Sequence, residues 1–169
     1  PLIEAILKME MNGIKVDSDN LSSLSRDFSD RVNKLENKIF KISGSEFNIG
    51  SPKQLSEVLF DNMDLTLSKK TKTGERSTGI EVLEDLSYEG HEIAQLIIEW
   101  RQLSKLKNTY ADSLPNHIAK ETGRIHTSYA MASTSTGRLA SSDPNLQNIP
   151  IRTNEGRLIR EAFVADKGN

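Results

Sequence analysis

Apolar residues recur at Leu21, Leu24, Phe28, Val32, Leu35, Ile39 and Ile42, in alternating steps of three and four. That spacing keeps them on one helix face and predicts a long helix with a coiled-coil-like seam. Asp17 or Ser18 offers a capping oxygen at its start, and Gly44 closes it. Upstream, Leu2–Asn12 reads as a short helix stopped by Gly13, and Ile14-Lys15-Val16 as an extended link.

Ser51-Pro52-Lys53-Gln54 has the form of a helix start, with Ser51 as cap, Pro52 in the first turn and Gln54 completing a capping box. The helix it opens would bury Leu55, Val58 and Leu59. Leu65–Thr78 lacks an apolar period and predicts a loop. Thr78 and Glu81 offer a second capping box ahead of Val82, Leu83 and Leu86. A last long helix runs from about Glu92 to Tyr110, with Ile93, Leu96, Ile97, Trp100, Leu103 and Leu106 along one stripe. Beyond Pro115 the pattern changes. Thr122-Gly123-Arg124 is a turn, Ile125–Ser133 alternates as strands do, and Asp143-Pro144 and Ile149-Pro150 interrupt regular structure. The predicted fold is mainly α within an α+β class: an antiparallel pair of long helices with a helical tip, then a small β-containing segment.

Composition narrows the chemistry. Aromatic residues are only 5%, so the core rests on Leu, Ile, Val and Ala. The absence of cysteine excludes a disulfide scaffold, a thiolate metal site and a cysteine nucleophile. No apolar run approaches the roughly 20 residues of a membrane span, so no membrane partner is expected. With no initiator Met at Pro1 and no clear stop at Asn169, we expect a fragment of a longer protein. Net charge is −2, which gives no global sign of nucleic-acid binding. The basic residues are nevertheless bunched: Lys69, Lys70, Lys72 and Arg76, then Arg101, Lys105 and Lys107, then Arg152, Arg157 and Arg160. Any one bunch is also what a solvated face looks like.

No zinc-protease, phosphate-loop, nucleophile-elbow or dinucleotide motif occurs, and His91, His117 and His126 lack metal-ligand spacing. The informative stretch is Thr136-Gly137-Arg138-Leu139, followed by Asp143-Pro144-Asn145-Leu146-Gln147-Asn148-Ile149-Pro150 and Arg152. Arg138 is a donor fork beside a permissive glycine, and Asn145, Gln147 and Asn148 both donate and accept. Two prolines restrict the backbone that carries them. Such donors suit the DNA minor groove, whose N3 and O2 acceptors are common to every base pair. The same amides can instead satisfy the backbone of their own loop.

The string from Thr134 to Val164, TSTGRLASSDPNLQNIPIRTNEGRLIREAFV, resembles the motif that opens the palm of family-A, polymerase-I-like DNA polymerases. Trp100–Tyr110 resembles that family's thumb helix, Lys72–Thr78 its thumb tip, and Phe47-Asn48 ahead of Ser51–Leu55 fits as well. Ala140 and Gly79 stand where the family usually has Ser, and Trp100 where Tyr is common. The resemblance implies a thumb over residues 1–115, with its tip at about 45–90, and the start of the palm over 116–169. It implies primer–template duplex DNA as the partner of a monomeric fragment, and a cytoplasmic, nucleoid-associated location in a bacterium. Arg138 would meet the minor groove at the primer terminus, with Asn145, Gln147 and Asn148 lining the nearby duplex. Lys72, Arg76, Ser77, Thr78, Lys105, Lys107 and Arg152 would meet the DNA backbone. The parent enzyme would use two Mg2+ ions and deoxynucleotides. The family's first catalytic aspartate follows a segment like Ala162-Phe163-Val164, and the sequence reaches Asn169 without it, so the expected fragment grips DNA but has no catalytic residue and no metal site. Against this stands a different class of function, a non-catalytic helical hairpin that binds a protein partner through its seam.

Overall fold

The computed structural model describes residues 1–65 and 76–166. Among these the fold is mainly helical with two small antiparallel sheets, each of two strands, as the sequence pattern predicts. The chain forms two compact units, Phe28–Ser104 and Pro1–Asp27 with Lys105–Asn169. No helix among the described residues is long and apolar enough to cross a membrane.

Unit 28–104 is built on the long helices α2 (Ser18–Ser43) and α5 (Glu92–Leu106), together with α3 (Pro52–Ser56) and α4 (Ile80–Tyr88). A π-helical turn, Glu57–Asn62, continues α3. Ile39, Leu55, Leu59, Leu83, Leu86 and Ile97 are fully buried in one cluster. Each such side chain contributes about 1.5–3 kcal/mol relative to exposure. Trp100 packs at the edge of that cluster. Its ring N–H donates to Glu36 Oε1 at 2.9 Å, which satisfies the indole's one polar group. The seam is uneven along α2: Val32 and Leu35 are half-buried, Ile39 is fully buried, and Ile42 is 37% exposed.

Two caps differ from expectation. Ser51 Oγ does accept from the Gln54 N–H, at 3.5 Å. The Gln54 side chain, however, accepts from the Asn48 N–H at 2.8 Å and so braces the preceding turn instead of closing a capping box. The box at Thr78 and Glu81 does not form. Thr78 is buried, and its carbonyl accepts from Arg101 Nη1 at 2.6 Å. With Thr78 drawn inward, α4 starts later, with Gly79 as its cap residue and the Gly79 N–H donating to Ser77 Oγ at 3.1 Å. Most of the predicted 65–78 loop lies outside the described residues.

In the other unit, α1 (Leu2–Asn12) ends at Gly13, whose φ of +61° favours glycine; a Cβ there would meet His126 and the Ile125 carbonyl at 2.8 Å. Strand β1 (Ile14–Lys15) pairs antiparallel with β2 (Arg124–Ile125). Asp17 is the cap of α2, its Oδ1 accepting from the Asp19 and Asn20 N–H groups at 3.1 and 2.9 Å. The stripe of α5 continues through a π-helical turn, Lys107–Ala111, which buries Tyr110. Strand β3 (Ser128–Ala130) pairs with β4 (Ala140–Ser142), Tyr129 opposite Ser141. The predicted strand run Ile125–Ser133 is thus divided between β2 and β3, and its partner β4 was not expected. Neither was α6 (Asn154–Glu161), which buries only Gly156 and Ile159.

Candidate nucleic-acid interface

The loop that carries the sequence's candidate groove residues is held from below by two buried hydroxyls. Thr127 and Ser141 lie with their oxygens 2.7 Å apart. Thr127 reaches the carbonyls of Ser142 and Pro144 at 2.9 and 2.8 Å, and Ser141 Oγ accepts from the Leu146 N–H at 3.2 Å. An unsatisfied buried hydroxyl costs about 1–3 kcal/mol, so this pair fixes where the loop leaves β4. The peptide between Asp143 and Pro144 is cis.

Gln147 ties the loop back to the strand. Its Oε1 accepts from the Ser141 N–H at 3.1 Å, and its Nε2 donates to the Leu139 carbonyl at 2.8 Å. Both ends of this amide therefore serve the protein's own backbone. Asn145 Oδ1 accepts from the Gln147 N–H at 3.0 Å in a local turn. The Asn148 carbonyl accepts from the Tyr110 hydroxyl at 2.6 Å. The far end of the loop rests on α6, where the Thr153 hydroxyl caps the Gly156 N–H at 3.1 Å. A Cβ on Gly156 would lie 2.4 Å from the Pro150 carbonyl oxygen.

What this scaffold leaves outward is polar and exposed. Arg138 follows Gly137, whose φ is +73°. Its carbonyl accepts from Thr134 Oγ1 at 2.6 Å, and its guanidinium is exposed. The side chains of Arg138, Asn148 and Arg152 have no partner among the described residues, and all three residues are exposed. Lys105, in the last turn of α5, is exposed and likewise without a partner among them. Lys107 is not free. Its ammonium donates to Asp112 Oδ2 at 2.6 Å, and Asp112 Oδ1 accepts from Ser25 Oγ at 2.5 Å. Partial burial pushes the Asp112 carboxyl up, but the hydrogen bonds from Lys107 and Ser25 and the charge of Lys107 outweigh it. The carboxyl is held below its ordinary value.

In unit 28–104, Arg76 is exposed and hydrogen-bonds Asp61 Oδ1 at 2.8 Å, with its guanidinium 5.5 Å from the Phe60 ring centre. Ser77 is half-buried, its hydroxyl accepting from the Gly79 N–H, and Thr78 is buried, its carbonyl held by the Arg101 guanidinium. Lys72 lies outside the described residues. Arg101, bunched in sequence with Lys105 and Lys107, is turned inward onto Thr78, and burial lowers its pKa. The sequence reading missed the bracing residues Tyr110, Thr127, Ser141, Asp112 and Gly156. Only Tyr110 carried a visible signal, since it extends the Leu103–Leu106 stripe by one further step of four.

The sequence profile of DNA polymerase family A matches residues 18–169. The chain is 52% identical to DNA polymerase I of Rhizobium leguminosarum over all of its length, which is 17% of that protein. It is 47% identical to the thermostable DNA polymerase I of Thermus thermophilus, over 99% of this chain and 20% of that one. The POL domain of Pol1 from M. smegmatis, solved in complex with DNA primer-template and dNTP, superposes with a TM-score of 0.87 at 42% identity. That match covers 96% of this chain and 28% of the other. The chain thus spans about a fifth of the relatives' length, and a match that runs from the first residue of α2 through the braced loop to the end of the chain makes it a member of DNA polymerase family A.

Proposed function

We propose that this chain is the DNA-gripping part of a longer template-directed DNA polymerase, with a thumb over residues 1–115 and the start of the palm over 116–169. The observation that carries the reading is the braced loop. Gln147, Tyr110 and the Thr127–Ser141 pair fix a short segment from which Arg138 and the Asn148 amide project with no partner among the described residues. Fixed donors suit a groove whose acceptors are the same at every base pair. Arg138, Asn145 and Asn148 take the minor groove near the primer end. Gln147 borders it while holding the loop. Lys72, Arg76, Lys105 and Arg152 meet phosphates, while Ser77 and Thr78 shape the tip beside Arg76. These are positioning contacts, which fix register without reading sequence.

Nucleotide transfer in this family depends on two Mg2+ ions held by carboxylates. Among the described residues no group of three or more His, Cys, Asp or Glu could hold a metal ion. The residues present do not fit that pair of ions, and no chemical step is assigned to this chain. The rival reading, a protein-binding hairpin, needs an available seam. Leu21, Leu24, Phe28 and Ile39 are already buried within the chain.

Fluorescence anisotropy with a primer–template duplex, a single strand and a salt series tests the proposal. Four neutralised phosphates predict a log–log salt slope of about −3.6, with duplex preferred. Binding that ignores salt, or no binding by the folded chain, would overturn it, and concentration-dependent dimerisation would favour the rival.

A further inference from the structure

We propose that Asp112 withholds Lys107 from DNA, so that of the two lysines in the Lys105-Leu106-Lys107 run only Lys105 binds a phosphate. The inference rests on the DNA-gripping reading above and divides labour within it.

The geometry begins with the backbone. In an α-helix residues five apart point about 140° away from each other, at about 100° per residue. The chain here leaves α-helical winding at Lys107, and the Asp112 N–H donates to the Lys107 carbonyl at 2.9 Å, a bond spanning five residues. A π-turn of this kind is rare and recurs at functional positions. It brings residues 107 and 112 onto one side, where the ammonium and carboxylate meet at 2.6 Å. Ser25 holds the other carboxylate oxygen. The Lys107 side chain is only 22% exposed, whereas Lys105, two residues earlier and so about 200° around the helix, is exposed and without a partner among the described residues. Sequence alone makes the two lysines equivalent; the π-turn separates them.

Lys107 is held in a half-buried pair by a carboxylate that Ser25 also anchors, so it stays there when DNA binds and neutralises no phosphate, unlike Arg76, whose pair with Asp61 is exposed and can exchange for a phosphate. The wild-type slope of about −3.6 should therefore become about −2.7 in Lys105→Gln and stay unchanged in Lys107→Gln. Asp112→Asn, which keeps the shape and removes the charge, should steepen it to about −4.5, and adding Lys107→Gln should return it to about −3.6. Ser25→Ala is the control for loosening alone: it disturbs Asp112 but adds no free charge, so its slope should match wild type. A Lys107→Gln slope that falls by about 0.9 would overturn the inference, as would an Asp112→Asn slope equal to wild type. If Asp112→Asn does not fold, the Lys105→Gln and Lys107→Gln pair decides alone. Failure of the underlying reading is distinguishable, because wild type itself would then lack salt-dependent duplex binding, and the inference would fall with it.

Discussion

The Tyr110 hydroxyl donates to the Asn148 carbonyl at 2.6 Å, joining the end of the α5 stripe to the loop that carries Asn145, Gln147 and Asn148. The ring is buried, and that burial raises the hydroxyl's pKa, so the phenol remains a donor throughout the neutral range. Tyr110→Phe keeps the packing and removes only the bond. A hydrogen bond of this type contributes about 0.5–1.5 kcal/mol net. We expect a loss of about that size in urea unfolding and weaker duplex binding with an unchanged salt slope, since no charge is altered. Unchanged affinity would mean that the loop keeps its shape without this tie.

Gly156 is the other fixed point. Its α-carbon faces the Pro150 carbonyl, and an added methyl would sit 2.4 Å from that oxygen. The neighbour is backbone, so it cannot rotate away. Gly156→Ala should therefore destabilise by about 1–3 kcal/mol, the usual range for overpacking, despite alanine's better helix propensity. A thermal melt reads the sign directly. A stabilised variant would show that α6 and the 150 loop can shift apart without loss.

The sequence showed those parts of the fold whose signal is periodic burial. The α2 seam and the α5 stripe are long enough for the three-and-four spacing to stand out, and Gly13 and Gly44 stop helices as glycine should. It hid parts stabilised by few apolar contacts. Helix α6 buries only Gly156 and Ile159, so no stripe announces it, although Thr153 was available as a cap. The Thr78 cap failed because a distant residue, Arg101, claims its carbonyl. For the candidate site, residue type identified which side chains can donate to DNA but not which are already engaged. Gln147 and Lys107 look like Asn148 and Lys105 in sequence; only their partners, Leu139, Ser141 and Asp112, set them apart.

Arg138 is placed to report on the primer end if the proposed function holds. A hydrogen bond from a charged group is worth about 1.5–3 kcal/mol. If it forms in the transition state for addition, Arg138→Ala in the intact polymerase should slow nucleotide addition about tenfold to 150-fold and weaken discrimination at the primer terminus. The guanidinium has no partner among the described residues, so folding stability should change by less than about 0.5 kcal/mol. Single-turnover addition with matched and mismatched primer ends measures both effects. An unchanged rate and error frequency would remove Arg138 from this role.

Acid should weaken the fold partly through Asp112. Its folded-state pKa lies below the ordinary value of 3.8, because hydrogen bonds from Lys107 and Ser25 and the lysine's charge overcome the opposing effect of burial. A depressed carboxylate pKa means the unfolded chain binds the proton more tightly. The carboxylate's contribution is therefore complete above the ordinary value and disappears as pH falls through the lower, folded value. Asp166, held by Lys15 and Arg124, shifts in the same direction and adds to the loss in wild type. Asp112→Asn isolates the first group, because Asp166 titrates in both proteins. The stability difference between wild type and Asp112→Asn, from urea midpoints at a series of pH values, should be constant near neutrality. It should shrink as the pH drops below about 5, where an ordinary Asp side chain begins to protonate. A difference that holds steady to the lowest pH at which the protein folds would show that the loss comes from altered packing around Ser25 and not from the Lys107–Asp112 ion pair.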